Sequence, residues 1–334
     1  MKRWAIAGAG LGMLLLIFDS RCAAQSAQEA LALCLKTVIP SLFPMFVLSG
    51  LLVSGLGGAS GRLFSPLERI TGLPEGSGVL FLMGIVGGFP VGAQCIAQAV
   101  EKGSLSREDG ERMLGFCNNC SPAFLFGILG SVLSDPLAPL LIFLIQLETA
   151  LVTASFTPLH QQTLSVTAGG SCSLSAAVTR GIRSMASVCA WVVLAGVVTG
   201  FLDRWIFPLM PLPMPQLLGG MLEITGGILG LAAIPEEHTK FLLCALFVCF
   251  GGLSVWMQIS SLASAQGLSA AICFRQKTVQ AILGGLIAAT VLGLGPVGLL
   301  LPVILLIVRK KRLENPTDSV YNSPRKGGLD HVVP

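Results

Sequence analysis

The residues able to do chemistry fall in three short clusters and two isolated acids. The densest cluster is Phe116-Cys117-Asn118-Asn119-Cys120-Ser121-Pro122. Asn118 and Asn119 carry amides that both donate and accept, which suits an uncharged polar solute such as a nucleoside or a sugar hydroxyl, and Ser121 adds a hydroxyl. The same amides suit the capping of broken helix ends, because Pro122 deprives the carbonyl of residue 118 of its helical partner. The second cluster is Gly87-Gly88-Phe89-Pro90-Val91-Gly92-Ala93-Gln94 and the third Gly251-Gly252-Leu253-Ser254-Val255-Trp256-Met257-Gln258. Gly88, Pro90, Gly252 and Ser254 mark places where backbone can approach a solute. Gln94 and Gln258 follow one turn later, placed to face each other; helix packing and interhelical hydrogen bonding are the competing roles. Glu148 and Glu223 stand in or near apolar stretches, where a carboxylate is costly and by default couples a proton or cation.

No Ser-His-acid, zinc or phosphate-loop pattern accompanies them. His160, His238 and His331 are not at ligand spacing, so neither an enzyme, a cofactor nor a metal site is expected. Cys117 and Cys120 form a C-x-x-C without a second pair. Cys34, Cys95, Cys189, Cys244, Cys249 and Cys273 lie in apolar runs and read as small hydrophobic residues.

The elements that must position these groups lie in a bilayer. With 334 residues, 53% hydrophobic and 11% charged, the chain has more apolar surface than a soluble domain of this length could bury. Its mean hydropathy is +0.80. Lys2 and Arg3 at one end and Arg309, Lys310, Lys311 and Arg312 at the other predict cytoplasmic termini in a multi-pass cell-membrane protein, hence an even number of complete crossings. No soluble domain is left to carry a nucleic-acid site. Trp4 to Phe18, followed by Ala23, Ala24 and Ala27, resembles a secretory signal; the closely following stretch to Val38 favours a retained first helix.

Hydropathy predicts an all-α polytopic membrane protein of about 8–10 transmembrane or re-entrant helices, several of them broken. Pro40 and Pro44 kink the stretch from Ile39 to Leu56. Glu101-Lys102-Gly103 ends one helix and Ser106, with Asp109 three residues on, opens the next. The organisation reads as an N-terminal apolar helix (1–25), a first repeat (26–158), a polar connection (159–183), a second repeat (184–311) and a cytoplasmic tail (312–334). The repeat rests on an offset of 164, which aligns Gly87, Gly88, Val91, Gln94, Ala99 and Gly103 with Gly251, Gly252, Val255, Gln258, Ala263 and Gly267. Paired interruptions of this kind point to a solute site between repeats, because lipid cannot satisfy an unwound backbone. Trp256 and Met257 replace small residues of the first motif and predict an occluded second site.

Taken as a set, residues 87–93, 116–122 and 251–255, together with Pro-Ser-Leu-Phe-Pro at 40–44 and Leu-Glu-Ile-Thr-Gly-Gly at 222–227, resemble the sporulation integral membrane proteins of YlbJ type, in the Gate or nucleoside-recognition group. The resemblance covers about residues 26–310. Cys120 stands where that pattern has a smaller residue. The resemblance implies relatedness to the gates of nucleoside and iron transporters and a part in sporulation, with a small polar, nucleoside-like solute bound or transported. The alternative is a non-transporting assembly or scaffold factor acting through other membrane proteins or a homo-oligomer.

Overall fold

The computed structural model describes residues 2–55, 65, 67–69, 71, 73–160, 173–300 and 302–304. The basic cluster at 309–312, the tail and most of the polar connection lie outside them.

Among the described residues the regular structure is helical, and five stretches are long and apolar enough to cross a membrane: Ser20–Leu48, Ala138–Ser155, Leu174–Trp205, Glu237–Ser264 and Ala271–Leu299. Large apolar side chains cover the outside of the bundle, among them Leu35, Leu140, Leu194, Ile282 and Leu286. In water that surface would be strongly unfavourable; in lipid it is the expected exterior.

Helix α1 (Lys2–Phe18) is apolar on all sides, and Phe18 at its end is 88% exposed. Asp19 separates it from α2 (Ser20–Leu33), caps α2 through the amide of Cys22, and pairs with Arg204 at 2.7 Å. A π-helical turn (Cys34–Val38) then leads into α3 (Ile39–Gly55). That turn ends two residues before Pro40, and Pro44 lies inside α3, so the helical stretch runs through both prolines with a widened turn ahead of them.

The chain continues through α4 (Gly78–Val86), α5 (Val91–Glu101), α6 (Arg107–Met113) and α7 (Pro122–Ile128), short helices parted by the predicted breaks. Next come α8 (Ala138–Ser155) and α9 (Leu174–Trp205). The stretch expected as connection to residue 183 is helical from Leu174, because Ser173 accepts from the Ala176 amide and caps α9. At 32 residues α9 is about 48 Å long, so it extends beyond an apolar slab of about 30 Å.

The second half holds α10 (Met214–Leu222), α11 (Ile224–Gly230), α12 (Glu237–Phe250), α13 (Gly252–Ser264) and α14 (Ala271–Leu294). Gly251 divides the Glu237–Ser264 span near its middle, into helices of 14 and 13 residues. Ser134 meets Glu237 at one end of the bundle, while Ser269 binds Glu111 and Arg112 reaches Pro158 at the other. Thus α8 and the α12–α13 rod run in one direction and α14 runs back between the same two ends.

The segments offset by 164 share backbone geometry. Gly103 and Gly267 both have φ of +70°, conformations that a side chain would strain. The Ser104 amide donates to Ala99 at 2.9 Å and the Leu268 amide to Ala263 at 3.0 Å. The next helices then start at Arg107 and Ala271, again 164 apart.

Helices α9 and α2 meet through small residues on both sides. A Cβ on Gly196 would stand 2.8 Å from the Ala30 methyl, and one on Gly200 would collide with the Ser26 hydroxyl. This is close small-residue packing of the kind that holds helices together in lipid, where no hydrophobic effect separates helix from solvent. Gly200→Leu should therefore lower the unfolding temperature in detergent by several degrees, an overpacking cost of about 1–3 kcal/mol. Gly127→Ala, where an added Cβ meets nothing within 4 Å, should leave it unchanged. Equal behaviour of the two variants would refute this account of the interface.

Candidate functional site

The unwound segment between α6 and α7 lies fully inside the bundle, so each polar backbone group there needs a partner. Asn118 provides two. Its Oδ1 accepts from the Ala93 amide at 2.7 Å, and its Nδ2 donates to the Leu114 carbonyl at 2.6 Å. Ala93 is the third residue of α5, whose N-cap position is Pro90 with no capping side chain. Asn118 thus supplies in trans the cap that α5 lacks. Asn119 donates to the Phe116 carbonyl at 2.9 Å. From α8, Gln146 clamps Cys120 at both ends, accepting from its amide at 2.8 Å and donating to its carbonyl at 3.1 Å.

The approach of the first two breaks depends on missing side chains. A Cβ at Gly84 or at Gly92 would run into the Cys117 carbonyl, and one at Gly88 would stand 2.8 Å from Ser121 Cβ. A third break joins them at Gly251, where a Cβ would lie 2.9 Å from Cζ of Phe89. The fourth is Glu223, an extended residue between α10 and α11. Its Oε1 accepts from the Thr225 amide at 3.0 Å and its Oε2 from the Gly226 amide at 2.6 Å, so the carboxylate caps α11.

Three of these breaks reach one cleft through Phe89, Ser121 and Glu223, and α13 beyond the Gly251 break faces it through Val255 and Gln258. The cleft's polar lining is Thr37 and Ser41 from the π turn and α3, Ser121, Glu223, Thr225 and Gln258; its apolar wall includes Phe89 and Val255. The space that water could occupy is about 50 Å³, room for a handful of waters. Glu223 also lines a second groove, with Glu29 and Asp203, between α2, α9 and α11.

Of the residues singled out from sequence, Ser121, Gln258 and Glu223 line the cleft. Ser254 supports Gln258, accepting from its Nε2 at 3.3 Å. Gly88, Pro90 and Gly252 shape the breaks, and Asn118 and Asn119 stabilise them from behind. Gln94 and Gln258 are not paired as the repeat suggested: Gln94 accepts from Ser184 of α9 at 3.3 Å. Glu148 on α8 is half-buried and is not part of the cleft's lining. Trp256 turns toward α14: its indole N–H donates to the Ala270 carbonyl at 3.1 Å and its ring packs edge-on against Phe274.

Sequence reasoning missed Lys277 and Gln280, both buried on α14. Lys277 donates to Gln280 at 2.8 Å and to Asn119 at 3.4 Å, and Gln280 donates to the Gly115 carbonyl at 3.2 Å. Their apolar run reads from Val279, which leaves Lys277 as a flanking charge; the helix begins at Ala271 and takes it inside. Thr37 and Ser41 also line the cleft without standing out in the sequence, hydroxyl residues that composition alone does not distinguish.

The fold and this site define a polytopic α-helical integral membrane protein whose interrupted helices meet on a small polar cleft. No protein-family model matches the chain, and no solved structure matches it significantly. Over 105 residues, 31% of the chain, it is 34% identical to the sporulation integral membrane protein YlbJ of Bacillus subtilis (strain 168). The matched segment spans 26% of that relative's length, about a quarter of it.

Gln146→Leu keeps the side chain's bulk but leaves the amide and carbonyl of Cys120 unpaired, at about 1–3 kcal/mol for each buried group. We expect a clear fall in unfolding temperature, and a smaller one for Gln98→Leu on the half-buried side of α5. Equal effects in thermal melts would contradict the assigned clamp.

Proposed function

We propose that the protein binds a small polar solute in this cleft, as a transporter-like membrane protein without covalent chemistry, and that it acts in sporulation. The observation that carries the reading is the convergence of three backbone interruptions, and of α13 beyond a fourth, on one lining of hydroxyls, an amide and a carboxylate. Interrupted helices leave backbone groups that lipid cannot satisfy, and transporter sites are built at such places. The paired turns at offset 164 support descent of the two halves from one repeated unit. The sporulation role is carried over from the printed name of the relative.

The cleft as it stands is too small for a nucleoside. Binding of a solute that size therefore requires the surrounding helices to separate, and the solute selects the wider state. The π turn at Cys34–Val38 and the Glu223 interruption, both in the lining, are the points of weakest helical continuity.

The test is a thermal-stability screen of the purified protein with nucleosides, sugars and amides. Solutes that stabilise the wild type should lose most of their effect in Val255→Trp, which fills the cleft. Gln258→Ala should weaken binding by about tenfold, the worth of one good hydrogen bond. If no solute shifts the wild type, while both variants restore spore formation in a strain lacking the gene and changes at Arg107 and Arg112 of α6 do not, the scaffold reading replaces this one.

A further inference from the structure

We propose that Lys277 is the charged end of this cleft and that the solute bound there carries a carboxylate or phosphate group. The inference rests on reading the cleft as a solute site and names the class of solute.

Lys277 is the seventh residue of α14, and it is 3% exposed. Its Nζ reaches the Gln280 and Asn119 amide oxygens and stands 5.1 Å from the centroid of the Phe89 ring. All three partners are neutral. Among the described residues, no carboxylate lies within ion-pair distance of Nζ. A buried cation without a counter-charge is costly, and two amide oxygens with a ring face replace its hydration only in part. Glu223 is the acid of the cleft, but both its oxygens are held by backbone amides at the start of α11. Backbone amides thus partner the Glu223 oxygens, while no group of opposite charge partners Lys277 among the described residues.

Phe89 connects the ammonium to the cleft. The ring covers Nζ and also forms part of the cleft's wall, beside Cys120, the neighbour of Asn119. Lys277 is not among the residues that line the cleft, so contact between Nζ and a bound group requires Phe89 to move aside. An anionic group gains a charge-assisted hydrogen bond in a setting of low dielectric constant, and a neutral isostere gains far less.

The experiment compares matched pairs on the full-length protein in detergent: acetate with acetamide, and adenosine monophosphate with adenosine, plus inorganic phosphate alone. Melting temperatures are read for the wild type, Lys277→Arg and Lys277→Gln. We expect the anionic member of a pair to stabilise the wild type at a concentration at least about tenfold lower than its neutral partner. The difference should persist in Lys277→Arg and vanish in Lys277→Gln. Stabilisation by free phosphate that Lys277→Gln abolishes also supports the site, and marks the anionic group itself as sufficient. Equal or greater stabilisation by the neutral members overturns the anion assignment and leaves the solute reading standing. An anionic advantage that survives in Lys277→Gln overturns it too, because the anion then binds elsewhere. Should no compound shift any melt, the anion assignment falls. If Lys277→Gln does not fold, the paired comparison in wild type and Lys277→Arg decides.

Discussion

The structure depends on one constraint: residues 114–121 run unwound through the interior of an apolar bundle, and their amides and carbonyls have no lipid or bulk-water partner. Side-chain amides meet that need. Asn118, Asn119, Gln146 and Gln280 each bond backbone in or beside the segment. Because those side chains come from the break itself, α8 and α14, satisfying the backbone also fixes how these elements sit. The bonds cannot form unless α4 and α5 approach within contact of the Cys117 carbonyl, which side chains at 84 and 92 would prevent. The cleft follows from this arrangement, since the same bonds place Ser121 and Phe89 at its edge.

This separates two kinds of polar group near the breaks. Asn118 and Gln146 have their hydrogen-bonding capacity taken up by backbone, so they hold the scaffold rigid. Gln258, Thr225 and Ser41 line the cleft; the Ser41 hydroxyl donates to the Thr37 carbonyl at 2.7 Å, which leaves it lone pairs to accept with. Glu223 does both, capping α11 while forming part of two adjoining spaces. A site built so is precise where it is supported from behind, and selective through the few groups that remain.

Much of this was legible in the sequence wherever local chemistry decides. Gly103 as a stop, Ser106 as a cap, the interruption before Pro122 and that at Gly251 all follow from glycine, serine and proline acting on their neighbours. What was not legible depends on distant partners. Asn118 caps a helix that starts 27 residues earlier, and nothing adjacent to it says so. Lys277 looks like an interface charge, because burial is a property of the helices around it. Gln94 and Gln258 occupy equivalent positions yet bond different neighbours, Gln94 to Ser184 of α9 and Gln258 to Ser254 of its own helix.

That last difference extends to the whole of the two halves. From Arg107 and from Ala271 the chain enters corresponding helices, but the first stops at Met113 and unwinds, whereas the second continues to Leu294. The offset that aligns the halves thus places Lys277 opposite Met113 and Gln280 opposite Phe116. Where the first half has exposed its backbone, the second keeps its helix and spends polar side chains on the other's carbonyl and amide groups. Two identical halves could not meet this constraint: two unwound segments would each need donors and acceptors that neither could supply, and two continuous helices would leave no interruption facing Phe89. The asymmetry is therefore a condition of burying a broken helix, and it leaves a single lysine, without a partner of opposite charge among the described residues, on the unbroken side.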